Sequence, residues 1–242
     1  MYEKDKEKCF KRHKNHCSWY KKAYNIVMNI ITLFHGSIQE VKTPLYGVGK
    51  PHNDYGLGFY CTRNIDMAKE WANRQTTSGI VNRYKLDCRS LKILDLTQYD
   101  VLVWLSVLLH NRELDPLDKL RYERELNYLE KFYIDTTQYD LIIGYRADDA
   151  YFRFPMLFLS NEISLKTLRE IYLLGNLGTQ YVLVGKKAFE KIKFVSSEVA
   201  DPIFNERYRQ RRDVAERRFE TLRFNDRYSK EEKIKDLIEK ND

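Results

Sequence analysis

The apolar positions change period several times along the chain, and the changes mark out elements. Ile30 to Phe34 is a short apolar run ending at His35-Gly36-Ser37, which predicts a strand with a histidine at its end. Gly58 to Thr62 (GFYCT) predicts a second, aromatic strand, and Asn64 stands as an N-cap before a helix carrying Met67, Ala68 and Trp71. Between the two strands lie Gly47, Gly49, Gly56 and Gly58, a glycine-dense excursion of the kind that wraps a ligand. Alternation returns over 81–86 (VNRYKL), and 91–96 (LKILDL) is also strand-like. Val101 to His110 is almost wholly apolar, and its length favours a buried helix. Asp115-Pro116 opens a further helix to about Phe132, with Leu117, Leu120, Leu126 and Leu129 as its apolar stripe.

Residues 139–144 (YDLIIG) read as an interior strand, followed at once by Tyr145, Arg146, Ala147, Asp148 and Asp149. Ser164 caps a helix with Leu165, Leu168, Ile171 and Tyr172 inward, closed by Gly175 or Gly178. Residues 180–185 (QYVLVG) predict a strand, 187–191 a helical turn, and 192–195 a last strand. From Ile203 an arginine-rich amphipathic helix with Phe204, Tyr208, Ala215, Phe219 and Leu222 is expected, then a second around Ile234, Leu237 and Ile238.

At 242 residues with 43% hydrophobic positions, the chain can bury one sizeable core. The net charge of +7 comes from the ends: residues 1–28 hold eight Lys/Arg against three Asp/Glu, 29–202 hold 22 of each, and 203–242 twelve against ten. Such ends are usually solvated, though they also suit nucleic acid. No apolar run has the length of a membrane span, and the lysine-rich first 25 residues carry no apolar signal core, so no membrane partner is expected. Four cysteines at 9, 17, 61 and 88 make no compact disulfide framework, which points to a reducing cytoplasm. Cys9, His13, His16 and Cys17 would share one face of a helix, but their spacing matches no zinc module and no metal site is assigned. Met28 is an alternative natural start, which would place the first strand at the opening of the protein. No dinucleotide-binding GxGxxG is present, and GVGK at 47–50 lacks the frame of a P-loop.

Four pieces in order carry a resemblance: HGS at 35–37, GLGFYCT at 56–62, GYRADD at 144–149 and LGTQY at 177–181, with Trp71 eleven residues past Tyr60. Together they resemble the ADP-ribosyltransferase superfamily in its diphtheria-toxin and poly(ADP-ribose) polymerase branch, and most nearly a group of small bacterial proteins within it. The resemblance covers about residues 29–197. It implies an α+β fold with a split β-sheet core, a helical insertion and C-terminal helices, arranged as a basic extension over 1–27, a catalytic body over 28–200 and a helical appendage over 201–242.

The resemblance also implies an NAD-dependent mono-ADP-ribosyltransferase of toxin type, with NAD as substrate and no metal. By it, His35 bonds the adenine-side ribose, the Gly36 backbone holds the nicotinamide carboxamide, and Tyr60 and Trp71 flank the ring. Gln180 stands where polymer-forming members have glutamate; it can hydrogen-bond a ribose hydroxyl but takes up no proton, so single transfer is expected. Arg146 is a candidate for the diphosphate, and Asp148 and Asp149 for the acceptor's base. The acceptor is a macromolecule, protein or nucleic acid, with the basic ends tilting to nucleic acid, and a small antitoxin protein is an implied partner. Each residue also has an ordinary role open to it: Tyr60 and Trp71 as core aromatics, His35 as a satisfied strand-end histidine, Arg146 with the two aspartates as a salt-bridged turn. A non-catalytic NAD- or ADP-ribose-binding module and a helical interaction scaffold are the alternatives.

Overall fold

The computed structural model describes residues 29–73, 78–147, 153–174 and 178–241. Two sheets organise the described chain. The first contains β1 (Ile30–Ser37), β3 (Ile80–Asp87) and β7 (Ile192–Val199) in the order β1-β3-β7, antiparallel throughout. The second contains β2 (Phe59–Cys61), β4 (Ile93–Asp95), β5 (Leu141–Tyr145) and β6 (Thr179–Leu183) in the order β2-β6-β5-β4, antiparallel except for β4 with β5. They touch where Phe34 and Thr62 exchange backbone hydrogen bonds of 2.7 and 2.9 Å.

Strand alternation explains how the sheets face each other. In β3, Tyr84 and Leu86 are buried while Arg83 and Lys85 are exposed, the period of two that a half-buried strand requires. Tyr84 and Leu86 join Ile31 and Leu33 of β1 against Cys61, Leu141, Ile143, Tyr181 and Leu183 of the second sheet. The opposite face of that sheet packs on helices, so Leu141 to Gly144 are buried without interruption. A strand covered on both faces reads as a continuous apolar run, as this one does.

Helix α1 (Ile65–Ala72) lies on β1, its N-terminus capped by Asn64, whose side chain accepts from Asp66 N–H and Met67 N–H. Helix α2 (Val101–Asn111) is capped by Asp100 and carries Trp104, Leu105 and Leu108 into the largest core, so that apolar run is a buried helix as its length predicts. The helix expected to run from Pro116 to about Phe132 is two: α3 (Pro116–Arg121) and α4 (Glu123–Glu130), broken at Tyr122. The break turns α3 outward, so Leu117 and Leu120 are 76% and 73% exposed and do not form the expected stripe, while Leu129 is buried.

Next come α5 (Arg153–Leu159), α6 (Leu165–Leu174) with Ser164 Oγ accepting from Thr167 N–H, α7 (Lys186–Lys191), α8 (Ile203–Asp226) and α9 (Ile234–Glu239). Ala215 and Phe219 of α8 and Ile234, Leu237 and Ile238 of α9 enter the same core as α2. The buried Asp226 carboxylate accepts from Ser164 N–H at 2.5 Å and ties the end of α8 to the start of α6. β1 runs through His35 and Gly36 to Ser37 instead of ending at the histidine, and β7 runs four residues past Val195. Among the described residues no helix is long and apolar enough to cross a membrane.

Candidate functional site

His35 is held by its neighbour strand. Its Nδ1 lies 2.7 Å from the Tyr60 carbonyl, and its ring sits 4.3 Å from that of Phe59. A carbonyl only accepts, so Nδ1 carries the proton. Burial lowers the imidazole's pKa and favours the neutral ring, which leaves Nε2 as the accepting nitrogen. Asn82, wholly buried on β3, donates to Ser37 Oγ (2.8 Å) and to the His35 carbonyl (3.3 Å) and accepts from Val41 N–H (2.8 Å). These bonds fix the strand end and the chain that leaves it.

Gly36 is there because α1 comes so close. A Cβ at this position would stand 2.1 Å from the Ala68 carbonyl oxygen and 3.0 Å from Trp71 Cβ. Phe34 turns its N–H and C=O to Thr62 on the outer edge of β1, and by strand periodicity Gly36 turns its own to that same edge, past the last bridge. Trp71 lies on the face of the strand beside Gly36.

The glycine-rich excursion is pinned at its far end. Tyr60 donates its hydroxyl to the Gly56 carbonyl (2.7 Å) and accepts from Tyr55 N–H (3.0 Å). Burial pushes the Tyr60 phenol far above its ordinary pKa, so it stays protonated. Tyr55 is inserted over β5, with its hydroxyl donating to the Tyr145 carbonyl (2.5 Å) and accepting from Trp104 Nε1 (2.8 Å). Gly144 makes the space, since a Cβ there would meet Tyr55 Oη at 2.1 Å.

Next to Tyr55, Asp54 is 4% exposed and gathers donors from three elements. Arg112 reaches Oδ1 through Nε (3.0 Å) and Nη2 (2.6 Å); Ala147 N–H (3.0 Å) and Gln180 Nε2 (3.4 Å) reach Oδ2. Burial raises the Asp54 pKa, opposed by Arg112, the Ala147 amide and Arg146. Gln180 is 6% exposed, and its Oε1 has no hydrogen-bond partner among the described residues; neither has Trp71 Nε1. Arg146, 7% exposed, lays its guanidinium 5.2 Å from the Trp71 ring centre and 5.8 Å from that of Tyr208 on α8. Glu70 and Arg211 form an ion pair between α1 and α8 on the same side.

The expected residues are thus joined in two strings. One runs from His35 to Tyr60, through Tyr55 to Asp54 and on to Gln180. The other runs from Gly36 to Trp71 and Arg146. His35 and Tyr60 do not share a face: His35 packs on Phe59, whose neighbours are in the inter-sheet core, whereas Tyr60 packs on the helical side. Asp148 and Asp149 lie outside the described residues, as do Cys9, His13, His16, Cys17 and Met28. Asp54 and Arg112 were not singled out in the sequence. One stands in a loop and one just past a helix, 58 positions apart, and no periodicity links them.

The fold and site define an α+β protein with two abutting sheets and a buried polar cluster, built on strand ends and a glycine-rich loop, beside an aromatic–arginine stack. The chain belongs to the family described as protein of unknown function (DUF3990), whose model matches residues 31–194. No curated protein and no solved structure matches it.

Proposed function

We propose that this protein is an NAD-dependent mono-ADP-ribosyltransferase of toxin type, acting in the cytoplasm on a macromolecule and built on an ADP-ribosyltransferase-like split sheet. The observation that carries the reading is the pair of contact strings just described. The four motif segments, spread over about 150 residues, are linked by direct contacts in two strings, and the polar atoms they leave over suit a dinucleotide. The buried Oε1 of Gln180 and Nε1 of Trp71 are an acceptor and a donor that a bound ligand would satisfy. His35 Nε2 is an acceptor for a ribose hydroxyl, and the outward edge of Gly36 offers the N–H and C=O that a carboxamide pairs with. Tyr60 and Trp71 supply flat faces, and the Arg146 guanidinium supplies positive charge for the diphosphate.

In the transfer, the bond between the nicotinamide nitrogen and the ribose carbon breaks, and nicotinamide leaves with the electron pair. The acceptor's nucleophilic atom bonds that carbon and gives its proton to a base, for which Asp148 and Asp149 stand next along the chain from Arg146. The ribose passes through a state with cationic character, so hydrogen bonds that strengthen as charge develops are the ones that accelerate it. An amide at position 180 gives no proton acceptor for chain growth, consistent with a single ADP-ribose per site. The basic ends favour a nucleic-acid acceptor, and a small antitoxin protein is the expected inhibitor.

Incubating the full chain with NAD labelled in its adenylate half and a cell lysate tests this. Label should pass to macromolecules with release of nicotinamide, and nuclease or protease digestion then identifies the acceptor class. NAD binding without release would favour the non-catalytic module; neither binding nor release would refute the reading.

A further inference from the structure

We propose that Asp54 is a positioning residue whose carboxylate sets the polarity of the Gln180 amide, so that β6 presents an acceptor, not a donor, to a ribose hydroxyl. The activity side of this inference rests on the NAD reading above. The geometry of the pair stands without it.

Every group on Asp54 is a donor: two nitrogens of Arg112, the Ala147 N–H and the Gln180 amide. Burial pushes this carboxyl toward the neutral form, but both oxygens already receive two donors each and a proton would point at one of them, so the contacts are those of the ionised form. Facing an ionised carboxylate, the Gln180 side chain has one stable orientation. Its NH2 turns to Asp54 Oδ2, and flipping the amide would set two oxygens 3.4 Å apart. Oε1 is thereby directed away from Asp54, where it is buried and unpartnered among the described residues. Such an acceptor is an unfavourable state until a donor arrives, which makes it a recognition element for a hydroxyl.

Asp54 can do this because its neighbours hold it. Tyr55 anchors it from one side through Tyr145 and Trp104, and Ala147 and Arg112 clamp the carboxylate itself. The pair also explains why glutamine suits position 180. A glutamate there would set a second carboxylate against Asp54, whereas glutamine delivers the same accepting oxygen without the charge.

A double-mutant cycle of Asp54→Asn, Gln180→Glu and the double variant tests the proposal in two readouts. The double variant reverses the pair, with an amide at position 54 now donating to a carboxylate at position 180, and conserves the charge seen by Arg112 and Arg146; the Ala147 N–H loses its acceptor in both variants that carry Asp54→Asn, so that loss cancels in the cycle. In urea unfolding, which needs no substrate, each single change should destabilise, and the double variant should be less destabilised than the sum. Additive losses overturn the proposal. In NAD turnover at pH 7.5, Gln180→Glu should fall by about tenfold or more, and the double variant should recover most of that loss. A Gln180→Glu variant at least as active as wild type overturns it. If wild-type protein consumes no NAD, the functional reading fails, and the unfolding cycle still decides the pair.

Should Asp54→Asn not fold, the pH dependence of Gln180→Glu stability decides instead. Two carboxylates facing Arg112, Arg146, the Ala147 N–H and the Tyr60 hydroxyl can share one proton. The variant should therefore regain stability relative to wild type on acidification. A constant difference from wild type between pH 5 and 8 overturns the proposal.

Discussion

Gly144→Ala is the substitution by which the link between fold and site can be weighed. The glycine sits inside β5, directly opposite Gln180 on β6, and an added methyl carbon would stand 2.1 Å from Tyr55 Oη and 2.6 Å from Cζ. Ordinary contact begins at 3.4 Å, so the Tyr55 ring must retreat by about 1 Å or leave. Tyr55 is 2% exposed, and retreat breaks its hydrogen bond to the Tyr145 carbonyl and the one it receives from Trp104. Overpacking of this kind costs about 1–3 kcal/mol, and each net hydrogen bond about 1 kcal/mol. Trp104 Nε1 keeps part of its share, being 3.3 Å from the Tyr145 carbonyl. The expected loss is about 3 kcal/mol, or about 6–12 °C in Tm for a domain of this size.

The assay is thermal unfolding of wild type, Gly144→Ala, Tyr55→Ala and the double variant. Tyr55→Ala is costly by itself, but it empties the space that the new methyl needs. Gly144→Ala should therefore add less than about 0.5 kcal/mol in that background. Equal cost of Gly144→Ala in both backgrounds would refute the claim that Tyr55 is what the glycine accommodates. Because Asp54 precedes Tyr55, Gly144→Ala should also weaken NAD binding, although it substitutes no residue proposed to touch the ligand.

Two further outcomes follow from the same geometry. Tyr60→Phe keeps the ring and leaves the Gly56 carbonyl and Tyr55 N–H without their shared partner, so it should cost about 1–3 kcal/mol in urea unfolding; wild-type stability would show that the hydroxyl does not pin the loop. His35 has its folded-state pKa lowered from 6.5 by burial, so the unfolded chain binds the proton more readily and stability falls as pH drops below about 6.5. Unfolding of wild type and His35→Gln between pH 5 and 8 should show this acid-side loss in the wild type alone, at up to about 1.4 kcal/mol per pH unit. Parallel profiles would mean that the ring ionises without leaving its place.

Much of the local structure was legible because it depends on neighbours in the chain. Asn64, Asp115 and Ser164 accept the first helical N–H groups within two or three residues, which a reader of the chain can anticipate. The alternation in β3 and the unbroken apolar run of β5 announce one covered face and two. Leu117 and Leu120 depart from expectation for the converse reason: a leucine stripe is buried only if its helix continues, and Tyr122 breaks it. The candidate site was read at His35, Gly36, Tyr60, Trp71, Arg146 and Gln180 as motif positions only. Asp54 and Arg112, which tie the loop to β5 and β6, carried no signal.

What the chain by itself determined is therefore most of the strands and helices, several of their caps, and which strands are covered on one side or both, since these follow from periodicity and from bonds only a few residues long; the break at Tyr122 and the helix α5 were not among them. The order β2-β6-β5-β4, the insertion of Tyr55 over Gly144 and the four donors on Asp54 were decided only by the assembled structure. A buried carboxylate has to find its partners in space, and here they come from 58, 93 and 126 positions away. Only packing brings such distant groups within hydrogen-bond reach.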